Sequence, residues 1–98
     1  MGREKIMMAI GVDFHNIPGA MMRVLNCFTR RGVVIQAVQC GPAGGRHRAT
    51  VLADAEPPEA EAIRIDQIVR ELESTVGVDR VERLSAAQAQ QVLQTTHP

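Results

Sequence analysis

The chain has 98 residues, 45% of them apolar and 22% charged, with eleven Lys and Arg set against eleven Asp and Glu. That length fits one domain, the balanced charge argues against non-specific binding to nucleic acid, which needs a basic excess to displace counterions, and no run of about 18 apolar residues offers a membrane span. A domain this small buries only about 60–70% of its unfolded surface, so a partner surface would add stability.

Phe14 and Phe28 are the only aromatic residues, so the core must be aliphatic. Cys27 and Cys40 form no CxxC pair and no His spacing joins them, which excludes a zinc pattern and suggests two small buried hydrophobes. The N-terminus, Met1 to Lys5, has neither the apolar stretch nor the small-residue site of a secretory signal, and a cytoplasmic location is expected.

In chain order, residues 5–14 alternate with period two. Ile6, Met8, Ile10, Val12 and Phe14 share one face, as in a strand with one buried side. At 15–19 the pattern breaks. Asn16 reads as an N-cap and Pro18 suits a first helical turn. Ile17, Met21, Val24, Leu25 and Phe28 then recur at helical spacing to about Arg30. Arg30 and Arg31 suit the negative helix end, and Gly32 stops it. Residues 33–41 are short and β-branched, a strand, followed by a turn at 41–45. Residues 46–54 return with Ala49, Val51 and Ala53 on one face, which makes a hairpin.

A loop from Asp54 to Pro58 leads to a second helix opened by Glu59 and Glu61, with Ile65, Ile68, Val69 and Leu72 as its apolar stripe. Gly77 ends it, and Val78 to Leu84 form a last strand. Residues 85–98 read as a C-terminal tail, either a loosely attached short helix or a frayed end, with Val92 and Leu93 as its large apolar groups. The order strand-helix-strand-strand-helix-strand predicts an α+β, ferredoxin-like fold over residues 1–84. Right-handed crossovers place both helices on one face of a four-stranded antiparallel sheet. Met7, Ala9, Gly11 and Leu52 then lie on the other face, as a bare patch for a partner or a site for tail packing.

Catalytic chemistry finds no foothold. No Ser, His and acid constellation stands at convincing positions. The glycine turn at 41–45 precedes a strand and not the helix a phosphate loop needs, and the central strands carry no aromatic platform for RNA. Arg46, His47 and Arg48 read as an anion patch or a solvated strand start. One feature points to a ligand: Asn16-Ile17-Pro18-Gly19 puts a small polar loop at a helix N-terminus, where free N–H groups and the dipole favour an anion and Gly19 allows close backbone approach. A plain capped helix start explains the same residues, and both readings stay open at this level.

The run Val12-Asp13-Phe14-His15-Asn16-Ile17-Pro18-Gly19-Ala20-Met21, with Arg23-Val24 and the helix end Phe28-Thr29-Arg30-Arg31-Gly32, resembles the ACT domain of the acetolactate synthase (acetohydroxyacid synthase) small regulatory subunit. The segment Ile65-Asp66-Gln67-Ile68-Val69-Arg70-Glu71-Leu72 and the closing Val76-Gly77-Val78-Asp79-Arg80-Val81 continue the likeness over roughly residues 5–84. The resemblance implies a non-catalytic subunit without a cofactor or metal, pairing side by side as a homodimer and holding a valine-like branched-chain amino acid between protomers. Asn16, Ile17, Gly19, Ala20 and Met21 would then meet the ligand from the loop. Val34 and Ile35 would meet it from the second strand across the interface, Val34 standing where the family carries an Asn. The implied partner is a thiamine-diphosphate-dependent catalytic subunit. A free-standing ACT dimer for another amino acid or a protein partner is the alternative.

Overall fold

The computed structural model describes residues 7–54, 58–85, 87, 88, 90 and 91. Its elements run β1 (Met7–Phe14), α1 (Ala20–Thr29), β2 (Val34–Ala43), β3 (Arg46–Asp54), α2 (Pro58–Glu73) and β4 (Val78–Leu84). The strands form one antiparallel sheet in the order β2-β3-β1-β4, the ferredoxin-like arrangement expected. Lys5 and Ile6, the side chains of Glu59 and Glu61, and Val92 and Leu93 lie outside the described residues.

The period-two pattern of β1 does what it promised. Met8, Ile10, Val12 and Phe14 are all buried against the helices, beside Ala49, Val51 and Ala53 of β3. From above, α1 contributes Val24, Cys27 and Phe28 and α2 contributes Ile68 and Leu72, with Met21, Leu25, Ile65 and Val69 packed at the margin. Each fully buried large side chain contributes about 1.5–3 kcal/mol, so this single cluster holds the fold.

Several boundaries differ from the sequence pattern. β2 runs on through Pro42 and Ala43, and the turn shrinks to Gly44-Gly45, with φ of 58° and 82°. Positive φ at both positions is the type I′ hairpin turn that matches strand twist, and glycine adopts it without strain. Pro42 fits because β2 is an edge strand and needs hydrogen bonds on one side only. A bulge at Gln36 shifts the register between Ile35 and Ala37. It lets Ile35 pack on the core while Ala37 faces the opposite side, and the Gln36 Nε2–H donates to Asp54 Oδ2 at 2.7 Å.

Two further expectations are corrected. Cys27 is buried, but Cys40 is exposed, because the helices leave the β2 margin uncovered: Val38 and Pro42, on the same side of that strand, are exposed too. Arg30 and Arg31 do stand at the C-terminal end of α1, Arg30 as its cap residue, but their guanidinium groups are not spent on that helix end. They reach across to one carboxylate of α2, Glu71, at 2.6 and 3.2 Å, clamping the two helices together at about 0–1 kcal/mol per exposed pair. Gly32 does end the α1 segment, at φ 74°.

Beyond β4, residues 87, 88, 90 and 91 are helical. The Gln88 N–H donates to Ser85 Oγ at 3.1 Å and the Ser85 N–H donates to Gln88 Oε1 at 2.8 Å. This reciprocal pair is a capping box, a signal present in the sequence as Ser85-x-x-Gln88. Among the described residues no helix is long and apolar enough to cross a membrane.

Candidate functional site

The β1–α1 loop is pinned from below. The His15 N–H donates to Gly77 O at 2.8 Å, and the Ile17 side chain lies against Gly77, where an added Cβ would meet its Cδ1 at 3.2 Å. Loop and α2–β4 turn therefore form one rigid shelf. On it, Asn16 does not cap the helix. The cap position is Gly19, in the left-handed region at φ 80°, with no side-chain hydrogen bond to the helix end and no acidic residue in the first turn. The chain makes a tight turn through Pro18, with the Ala20 N–H donating to Ile17 O at 3.0 Å, so the helix begins too late for Asn16 to reach it.

The result is an uncapped helix end. Among the described residues, no acceptor within the chain engages the N–H groups of Met21 and Met22. Such groups, with the helix dipole, favour a carboxylate. Arg23 adds a cation that the sequence reading passed over. Its Nη1 donates to Pro18 O at 3.4 Å, and its guanidinium passes within 3.7 Å of the position a Cβ on Gly19 would take. The signal for it was spacing: Arg23 stands one helical turn after Gly19 and so covers the same end.

The expected site residues fall into two groups. Asn16, Ile17, Gly19, Ala20 and Met21 lie at the end of the sheet where β1 finishes. Asn16 and Gly19 are exposed, Met21 is half-buried, and Ala20 belongs to the core. Val34 pairs with Asp54, and Asp54 with Met7 at the beginning of β1. The length of β1 separates the groups, about 23 Å at about 3.3 Å per residue. Ile35 packs on its own core, whereas Val34 is 60% exposed. Within one chain the two groups do not meet.

Apart from Arg23, several charged residues near the loop are already paired. Asp79 Oδ2 lies 3.1 Å from His15 Nε2 and forms an ion pair with Arg46 Nε at 2.9 Å. Arg48 reaches Glu82 at 2.6 Å and lies 3.7 Å from Asp13. Arg46 and Arg48 are thus engaged by carboxylates and not free for an anion, while Arg46 remains exposed at the start of β3. Glu82 is held below the usual carboxylate range, first by its hydrogen bond from Arg48 and then by that residue's charge. Burial pushes the Cys27 thiol up despite a contact of 3.6 Å with Thr75 Oγ1, and partial desolvation by its neighbours pushes Cys40 up although that residue is exposed, so neither has the thiolate character redox chemistry needs. No group of three metal-ligating side chains occurs among the described residues.

The two sheet edges are unlike. β2, Val34–Ala43, has ten residues and no charge. β4, Val78–Leu84, carries Asp79, Arg80, Glu82 and Arg83. Only β2 is thus an uncharged edge.

The family described as AHAS small subunit-like ACT domain matches residues 10–80, and no curated relative matches the sequence. Among solved structures, the acetolactate synthase small subunit of Thermotoga maritima is 25% identical with a TM-score of 0.65, over 83% of this chain and 48% of that one. This chain thus spans about half that subunit's length. The ACT domain of the Chlorobium tepidum GTP pyrophosphokinase superposes with a TM-score of 0.68 at 14% identity, over 83% of this chain and 100% of that one. The C-terminal domain of the Mycobacterium tuberculosis MgtC protein gives 0.68 at 20% identity, over 91% and 97%. At those identities the last two speak for the fold alone. The matched span takes in the loop, the uncapped helix and both crossovers, and the chain belongs to the family of AHAS small subunit-like ACT domains.

Proposed function

We propose that this chain is a non-catalytic regulatory subunit that pairs through β2 and binds a branched-chain amino acid between protomers, acting on an acetolactate synthase catalytic subunit dependent on thiamine diphosphate. The observation that carries the reading is the division of the candidate site. An antiparallel pairing of β2 with β2 of a second copy runs the partner strand the other way, bringing the partner's Val34 to the end where the loop of the first protomer stands. The loop lies two strands in from that edge, about 10 Å at about 4.8 Å per strand, a gap an amino acid with its contacts can bridge. The ligand's carboxylate would take the Met21 and Met22 N–H groups and Arg23, and its aliphatic side chain would lie towards Val34. Residues 1–84 are the binding domain on this reading, and residues 85–98 a C-terminal extension.

The same pairing would cover the uncharged edge and bury the exposed Val38 and Cys40, an unpaired edge being a liability in a free protomer. Light scattering alongside calorimetric titration with valine, leucine and isoleucine tests it. A dimer with one saturable ligand per loop is expected, and a folded monomer that binds none of the three sinks the reading. Co-purification with the catalytic subunit, and a change in its activity, tests the partner.

A further inference from the structure

The face of the sheet away from the helices is not the bare patch its small residues suggest. It holds a groove of about 650 Å³, within the range of small-molecule sites, on the opposite side from α1 and the β1–α1 loop. Cross-strand register places Gln39, Thr50, Gly11 and Glu82 side by side across all four strands. Gly11 leaves a gap in that row, and the Arg48 side chain fills it: a Cβ on Gly11 would clash with Nη2. Lying flat there, Arg48 reaches Glu82 at 2.6 Å. Gly41 opens the floor beside it, with no atom within 4 Å of where its Cβ would be. Gln88 and Gln91 of the capped C-terminal segment form the rim.

The lining selects a ligand class. It has no aromatic side chain to stack a base. Among the described residues its one cation, Arg48, is balanced by Glu82 and by Asp13, which leaves no surplus charge there for a phosphate. It does have one tight ion pair with capacity to spare. A guanidinium carries five N–H donors and a carboxylate about four acceptor positions, and the pair consumes one of each. Adjacent positive and negative groups match a molecule whose own ammonium and carboxylate are adjacent, and three amides and a hydroxyl around them match a hydrogen-bonding side chain.

We infer that this groove is a second small-molecule site, for a polar α-amino acid bound by its carboxylate to Arg48 and by its ammonium to Glu82, with its side chain among Gln39, Thr50, Gln88 and Gln91. It is separate from the loop site and does not depend on it.

Calorimetric titration with L-glutamine and L-serine tests the inference, with N-acetyl-L-glutamine and L-glutamine methyl ester as probes lacking one charge each. Saturable binding of L-glutamine or L-serine is expected in the wild type and in Gly19→Asp, which disables only the loop. Gly41→Leu fills the groove at a position with ordinary backbone and open space, and Thr50→Val is isosteric. Each is expected to weaken binding at least tenfold while the circular dichroism spectrum stays unchanged, and each blocked probe to bind at least tenfold more weakly than L-glutamine. The proposal is overturned if neither amino acid binds the folded wild type, if Gly41→Leu binds as well as wild type, if the blocked probes bind equally, or if Gly19→Asp abolishes binding, which assigns the ligand to the loop.

Discussion

Along its outer edge β2 presents ten residues without a charge, whereas β4 places Asp79, Arg80, Glu82 and Arg83 on an edge of seven. Both strands have unpaired backbone groups facing outward, and the sheet gives them one neighbour each. Charged side chains on an edge keep it from pairing with other strands. The contrast therefore assigns roles. β4 is an edge built to remain in water, with Arg83 held by Asp66 of α2. On the proposed pairing β2 is the edge that a second copy covers, and its exposed Val34 and Val38 are the surface that copy would hide.

The sharpest way to break this contrast is to charge the neutral edge. Val38→Lys places two ammonium groups close to a two-fold pairing axis and is expected to weaken dimerisation at least a hundredfold, about 3 kcal/mol, read by sedimentation or light scattering. Cys40 is a built-in reporter: a thiol reagent should label it slowly in the wild-type dimer and rapidly in this variant. Equal mass and equal labelling in both proteins would remove β2 from the interface.

Next in size is the loop. Gly19→Asp puts a side chain at φ 80°, a conformation that costs a non-glycine residue about 1–2 kcal/mol, and sets a carboxylate where the ligand's own should lie. Binding of valine, leucine or isoleucine should fall more than tenfold while the dimer mass stays the same. If affinity is unchanged, the helix end is not the effector site.

The converse change, neutralising the charged edge with Arg80→Thr and Arg83→Thr together, is expected to raise association beyond the dimer modestly, visible as a concentration-dependent mass. A strictly dimeric variant would mean that geometry rather than charge protects β4.

The smallest effect lies in acid. Glu82 is held low by Arg48, so its contribution to stability is present above the unfolded glutamate pKa of about 4.3 and is lost as pH falls through the lower folded value. Thermal unfolding followed downward from pH 5 should show this loss in the wild type and not in Glu82→Gln. Gly11→Ala, which pushes the Arg48 guanidinium out of its gap, should return the Glu82 titration to the ordinary range by NMR. A titration unmoved by Gly11→Ala would show that Arg48 is not its cause.

Much of this molecule could be read from the chain. β3 and β4 lie where their residue patterns put them, and the buried face of β1 follows from alternation alone. The α2 stripe of Ile68 and Leu72 is buried as the helical spacing requires. The candidate site was legible as a loop motif but not as an arrangement. Asn16 has every property of a cap, yet it stands too far ahead of Ala20 to act as one. Arg23 looked like any solvated helix residue until the turn through Pro18 folded the loop beneath it. Cys40 has the composition of a core residue and the place of an edge residue. The Gln36 bulge leaves no mark in a β-branched run, because a bulge is decided by pairing with the neighbouring strand.

The sequence by itself determined the order and type of the elements, the aliphatic core and the family, since all three are set by short-range periodicity, turn chemistry and local motif. Only the tertiary structure decided that β2 and β4 are the edges, that the loop and Val34 stand at opposite ends of the sheet, and that Arg48 crosses Gly11 to reach Glu82. Each of these depends on which strands lie side by side and in what register, and no run of neighbouring residues encodes distances between segments forty positions apart.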